Sequence, residues 1–261
     1  MSLVLKFSLF FFFLLLNISN SFSAEKQEKL LKQSWSFDGF FGKFDRASLQ
    51  RGYQVYTEVC SSCHSMNLLS YRNLSEAGGP SFSEEEVKAI ASKVEVLDGP
   101  NDKGEMFRRP GKPSDKFTSP FPNEKAARAA NGGAYPPDMS VLVKARAGGP
   151  DYIYSILMGY DDKPPKGIKL EDGVYYNKYM PGNKIKMVQP LNKDSVNYSD
   201  GTLATQEQLA KDVVTFLTWA SEPHLEARKR IGFKTVFYLL ILTILVYLVK
   251  KKIWLSVEPK V

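Results

Sequence analysis

Fifteen consecutive uncharged residues, Thr235–Val249 (TVFYLLILTILVYLV), constrain this chain more than any other feature. No polar face interrupts them, so they cannot lie as the surface helix of a soluble fold. With Lys234 and Lys250 snorkelling outward, the apolar span extends over 231–253. About 23 residues rising ~1.5 Å each cover the ~30 Å hydrocarbon layer of a bilayer. Tyr247 and Trp254 suit the interface, and Lys250, Lys251 and Lys252 form a basic flank beyond it. The expectation is one transmembrane anchor at 231–253, followed by a cytoplasmic tail at 254–261.

The opposite end carries Lys6, an apolar run over Phe7–Leu16, and then the small, polar stretch SNSFSA. This three-part pattern predicts a signal peptide over 1–24, cleaved near Ser23 or Ala24, because the run is too short to span a membrane. Residues 25–230 then form an exported head. The chain is expected in the inner membrane as a single-pass protein, with the head on the periplasmic side.

Charge supports that division. The 261 residues carry a formal net charge of +7, which on its own points to an anionic partner. Residues 25–227, however, hold 26 Lys and Arg against 27 Asp and Glu, while from Arg228 onward eight basic residues face one acid, Glu258. The positive charge belongs to the membrane boundary, and nucleic acid drops out as a partner. A near-neutral head with an acidic cluster at Glu84–Glu86 is suited to meeting a basic protein.

Within the head, the spacing predicts a helix over Asp45–His64, with Leu49, Tyr53 and Tyr56 on one face and Gly52 allowing close approach of another element. Thr205–Ala220 is the clearest helix: Thr205 and Gln208 read as a capping box, Leu209, Val213, Phe216, Leu217 and Ala220 form a stripe, and Pro223 stops it. Short helices are expected at Asp138–Ala147 and Tyr152–Gly159. Residues 99–123 and 160–204 read as loop, rich in Pro and Gly, and no strong strand alternation or repeat is present. Loops of this length need something to pack on.

The two cysteines of the chain are too few for a disulfide scaffold, and both fall in Cys60–Ser61–Ser62–Cys63–His64. C-x-x-C-H is the attachment sequence of c-type haem. Two thiols on one turn reach both vinyl groups, and the adjacent imidazole serves as proximal iron ligand. Zinc lacks ligands in a chain with two Cys and two His, and a thioredoxin-like pair lacks βαβ surroundings. For the sixth ligand, His224 sits against the anchor and Met66 is too close to His64. Met106, Met139, Met158, Met180 and Met187 remain, and composition does not choose between Met180 and Met187.

Four stretches, GYQVYTEVCSSCHSM at 52–66, AARAANGGAYPPDMS at 126–140, VKARAGGPDYIYSILMGY at 143–160 and DGTLATQEQLAKDVVTFLTWASEP at 200–223, followed by ARKRIGFK, resemble the cytochrome c1 family. The resemblance implies a mainly α fold: a cytochrome-c-like haem domain with long loop insertions plus one C-terminal transmembrane helix. It implies haem c on Cys60 and Cys63, with His64 and Met187 as iron ligands, Met187 standing in the I-x-M-x-x-P-L pattern. It further implies that Asn131, Ala134, Pro136 and Pro137 enclose the haem, that Arg146 meets a propionate and that Tyr152 is a haem contact. Some bacterial relatives add a disulfide near the distal ligand, which this chain cannot form with both cysteines committed to haem.

The implied role is that of the haem subunit of the quinol–cytochrome c reductase complex, not an enzyme on its own. Single electrons would pass from the Rieske iron–sulfur subunit to cytochrome c, with cytochrome b as a further partner. The rival readings are a free-standing membrane-anchored cytochrome c, which needs no such insertions, and a haem sensor or peroxidase, which needs an open sixth site.

Overall fold

A computed structural model describes residues 28–255. The signal peptide expected at 1–24 and residues 256–261 of the expected tail lie outside the described residues. Six α-helices run through the described chain: α1 (Arg46–Glu58), α2 (Glu84–Ser92), α3 (Glu124–Ala130), α4 (Gly149–Met158), α5 (Gln206–Ser221) and α6 (Leu225–Trp254). Two small antiparallel pairs accompany them, β1 (Glu95–Asp98) with β2 (Phe107–Pro110), and β3 (Tyr175–Tyr176) with β4 (Lys184–Ile185).

The core is built where α1 crosses α5, the most extensive helix contact in the head. Gly52 sits at the crossing, where a Cβ would lie 2.1 Å from the Asp212 carbonyl oxygen and 2.7 Å from Phe216 Cβ. Only a residue without a side chain allows the two backbones this close. Leu49, Val55, Leu209, Phe216, Leu217 and Trp219 are buried around the contact, and Tyr53 and Tyr56 pack edge-on or tilted against Phe216. The Asp212 carboxylate, fully buried beside them, accepts from Ser48 Oγ (2.6 Å), Arg51 Nε (2.8 Å) and Gln208 Nε2 (3.0 Å). α4 packs on α5, and the N-terminal segment is laced to α4 through Asp151, which accepts from Trp35 Nε1 (2.9 Å) and Lys32 Nζ (2.8 Å).

Several local expectations change. The helix expected over Asp45–His64 ends at Glu58 and gives way to a 3-10 turn, Cys60–Ser62, in which the Cys60 carbonyl accepts from both Cys63 N (3.2 Å) and His64 N (2.9 Å). Asp138–Ala147 is a series of turns rather than a helix. The Asp138 carboxylate takes the Ser140 backbone N–H (2.8 Å), offering the chain an alternative to helical pairing. The Thr205–Gln208 box forms by half: Thr205 Oγ1 accepts from Gln208 N (3.2 Å), but the Gln208 side chain turns to Asp212.

The acidic cluster Glu84–Glu86 is the first turn of α2, where Ser83 and Glu86 form a complete capping box and negative charge suits the helix dipole. The β1–β2 hairpin reaches into the stretch read as loop. α6 begins at Leu225, directly after Pro223 and His224, so the basic residues 228–230 ride on the same helix as the apolar run. By length and composition α6 is able to cross a membrane, and from Arg230 to Leu255 every residue is exposed.

Candidate haem-attachment site

The end of α1 delivers the motif. Cys60 is buried and Cys63 half-buried, and both thiols are free. Burial, with Cys63 adding to it, pushes the Cys60 thiol up to about 12, so it stays protonated at neutral pH. His64 is buried one residue on, its Nδ1 2.8 Å from the Pro137 carbonyl oxygen. A carbonyl can only accept, so Nδ1 carries the hydrogen and Nε2 keeps its lone pair. Burial lowers the imidazole pKa below its ordinary value, more than the Pro137 bond and Asp138 raise it. The result is a neutral, oriented imidazole of the kind a metal takes.

That orientation comes from a clasp between 64–68 and 137–140. Asp138 Oδ2 accepts from Ser65 Oγ and Asn67 N, both at 2.8 Å, and Met139 N donates to Ser65 O (2.8 Å). Ser140 Oγ accepts from Leu68 N (3.0 Å), and Tyr56 Oη donates to His64 O (3.4 Å). Pro137 therefore does more than enclose a ligand: its carbonyl sets the imidazole tautomer. Asp138 is the residue that sequence reading missed; the Asp-x-Ser pattern at 138–140 is an Asx-turn signal, but nothing local says the same carboxylate also grips 65–67.

The other candidate residues lie on helix α4 and on loops, two of which, 131–137 and 184–188, are tied together. Asn131 closes α3, its Nδ2 donating to Ala127 O (2.7 Å), and Ala134 N returns to Asn131 O (3.0 Å). Ala134 and Pro136 are half-buried, and Pro136 lines a cavity of about 170 Å³ together with Cys63 and Tyr135. Lys186 Nζ donates to Gly132 O (2.7 Å), tying this loop to the one that carries Met187. Met187 is half-buried, and its carbonyl accepts from Tyr160 Oη (3.0 Å). Tyr152 on α4 donates to Met180 Sδ (3.8 Å), whereas no hydrogen bond engages the Met187 sulfur among the described residues. Arg146 is exposed; its guanidinium meets the Ala145 carbonyl (3.1 Å), and its charge lowers the Tyr152 phenol against the stronger upward push of burial. Tyr135, Val141 and Val188 present large exposed apolar side chains from the same loops.

Other methionines are accounted for elsewhere. Met66 and Met139 are in the core, Met158 packs against it from the end of α4, and Met106 is exposed near the β1–β2 turn. His224 is the exposed residue preceding α6. No group of three or more His, Cys, Asp or Glu is placed to hold a metal ion among the described residues, which leaves zinc without support. The donor set fits haem instead: two free thiols on one tight turn, a neutral imidazole beside them, and a thioether on the loop that Lys186 ties to 131–137.

A helical head that presents C-x-x-C-H beside a carbonyl-anchored imidazole, and ends in a long apolar helix, defines the class of helical c-type haem-attachment domains with a C-terminal apolar helix. Within that class the chain belongs to the cytochrome c1 family, whose model matches residues 35–257. Membership implies c-type haem, and both attachment cysteines are present. The chain is 52% identical over 248 residues to "Cytochrome b/c1" of Bradyrhizobium diazoefficiens, covering 88% of this chain and 36% of that protein. It thus spans about a third of that relative's length. It is 52% identical over 228 residues to "Cytochrome c1 1, heme protein, mitochondrial" of Arabidopsis thaliana, covering 86% of this chain and 73% of that one. It is 48% identical over 244 residues to "Cytochrome c1" of Rhodospirillum rubrum, covering 88% and 89%.

Proposed function

We propose that this chain is the membrane-anchored haem subunit of a quinol–cytochrome c reductase, taking single electrons from a Rieske iron–sulfur protein and passing them to a cytochrome c. Cys60 and Cys63 would hold haem c through thioethers, and the bound group would supply one-electron chemistry. The residues of the chain do the rest. His64, oriented by the Pro137 carbonyl, would hold the iron through Nε2. Met187 would hold it through its sulfur: its backbone is pinned by Tyr160 and its sulfur has no hydrogen bond among the described residues, whereas Met180 is an acceptor for Tyr152. A Met ligand raises the reduction potential relative to a second His. Asn131, Ala134, Pro136, Pro137 and Tyr152 would wall the group, and the exposed Arg146 would suit a propionate.

The single observation that carries this reading is the pairing of two free thiols with the oriented, neutral His64 in a chain of the cytochrome c1 family. α6 anchors the head in the inner membrane with the haem on the periplasmic side, beside cytochrome b and the Rieske subunit. The domain limits follow: signal peptide 1–24, haem domain 25–230, anchor 231–253, tail 254–261.

The test is purification from membranes in mild detergent. Co-isolation with cytochrome b and Rieske subunits, and a denatured-protein mass equal to the processed chain plus one haem, are expected. Isolation as a lone cytochrome would overturn the complex, and a haem-free chain would overturn the site.

A further inference from the structure

We infer that the loop 37–44 is a second membrane contact: Phe40 and Phe41 enter the headgroup–acyl boundary beside α6 and fix the tilt of the head on the bilayer. The inference rests on reading α6 as a membrane anchor.

Three residues on one face of α6, Glu226, Lys229 and Phe233, hold this loop. Glu226 Oε1 accepts from Phe44 N (2.9 Å), and Oε2 accepts from Arg46 Nη2 (2.8 Å). One turn on, Lys229 Nζ donates to the carbonyls of Phe37 (2.6 Å), Gly39 (2.6 Å) and Gly42 (3.3 Å), which spends all three of its protons on the loop backbone. A further turn on, Phe233 meets the rings of Phe40 and Phe41 at centroid distances of 6.0 Å and 6.1 Å, and those two rings meet edge to face at 5.0 Å. Gly42 lies so tightly in the bend that a Cβ would fall 1.9 Å from Asp38 O. The loop is therefore bound to the helix, and its geometry is set by it.

Yet the bound loop turns its largest apolar side chains outward. Phe40 is 56% exposed, Phe41 76% and Phe233 50%, although Phe37 and Phe44 of the same loop are buried in the head. Water is the wrong solvent for three adjacent rings held in a fixed cluster. Position identifies the right one. Phe233 precedes the apolar run 235–249 by two residues, about 3 Å along the helix axis, so the cluster stands at the edge of the hydrocarbon layer. Arg230 and Lys234, both exposed, flank the cluster where lipid phosphates lie. Aromatic side chains concentrate at that boundary. The apolar surface is continuous with the fully exposed helix beyond it, so the occupant is lipid.

The experiment introduces the photo-crosslinker p-benzoylphenylalanine in place of Phe41, Phe237 or Leu203, one at a time, in the full haem-loaded chain in native membranes. Phe237 lies on the apolar run; Leu203 is exposed before the start of α5, at the end of that helix remote from α6. Irradiation is expected to give a mass shift of one phospholipid at positions 41 and 237 and none at 203. A lipid adduct at 237 with only protein adducts, or none, at 41 would overturn the second contact while leaving the anchor intact. Loss of lipid adducts at both positions would overturn the anchor, and the inference with it. Lys229→Gln is expected to diminish the adduct at 41 but not at 237; equal yields at 41 would show that Lys229 does not hold the loop in the membrane.

Discussion

At the scale of single residues, the site depends on atoms whose hydrogen-bonding is already settled. His64 is neutral because burial lowers its pKa more than the Pro137 bond raises it, and that bond places the ring hydrogen on Nδ1. The Met180 sulfur accepts from Tyr152 while the Met187 sulfur has no hydrogen bond among the described residues, and the proposal of Met187 as ligand rests on that difference. Replacing Met187 by Ala is expected to change the haem spectrum and lower its reduction potential, while Met180→Leu leaves both unchanged; redox titration of the two variants decides. Asp212 makes a comparable demand away from the site. Its carboxylate is fully buried and chiefly compensated by Arg51. Arg51→Met strands that charge and is expected to cost roughly 3–5 kcal/mol of stability by denaturant unfolding.

At the scale of elements, the α1–α5 crossing transmits stability to the motif, because Cys60 begins the turn that follows α1. Gly52→Ala places a Cβ against the α5 backbone and is expected to destabilise the head by roughly 1–3 kcal/mol, despite the better helix propensity of Ala. The β1–β2 hairpin has a different dependence. Arg109 is shared between Asp98 and Asp115, and its hydrogen bond is the main reason Asp115 is held down to about 2, against an ordinary 3.8. A carboxyl group that binds protons less readily when folded stabilises the fold above its unfolded value and loses that contribution as pH falls towards its folded one. Protection against hydrogen exchange across 95–117, corrected for the intrinsic pH dependence of exchange, is therefore expected to fall between about pH 4 and pH 2, and Asp115→Asn should weaken that dependence, leaving the part due to Asp98.

Much of this was legible in the sequence, and the gaps have physical causes. The motif, the apolar span, the close approach at Gly52 and the stripe of α5 are each stated by local spacing. The Asp138–Ala147 helix fails because Asp138 spends its carboxylate on Ser140, Asn67 and Ser65, partners whose positions only the fold supplies. The clasp on His64 and the Tyr160 bond to Met187 join residues 73 and 27 apart in the chain, a separation no window on the sequence records. The hairpin was hidden because its strands are four residues long and their sequences, EVLD and FRRP, do not alternate apolar and polar residues.

At the scale of the molecule, a near-neutral head stands on a strongly basic helix end, and the two halves serve different surroundings. Electron transfer to a basic cytochrome c is expected to slow as ionic strength rises, because exposed acidic groups on the head steer the encounter; a rate indifferent to salt would contradict this. The linked loops, the oriented imidazole and the anchor combine in one account: a fixed haem that accepts electrons from within a membrane complex and gives them to a carrier. Its most direct test is the difference spectrum of the solubilised complex, recorded after adding quinol and again after adding oxidised cytochrome c. The account predicts a c-type haem signal that appears with quinol and disappears with the acceptor. A c-type signal that quinol fails to elicit, or the absence of any such signal, would contradict it.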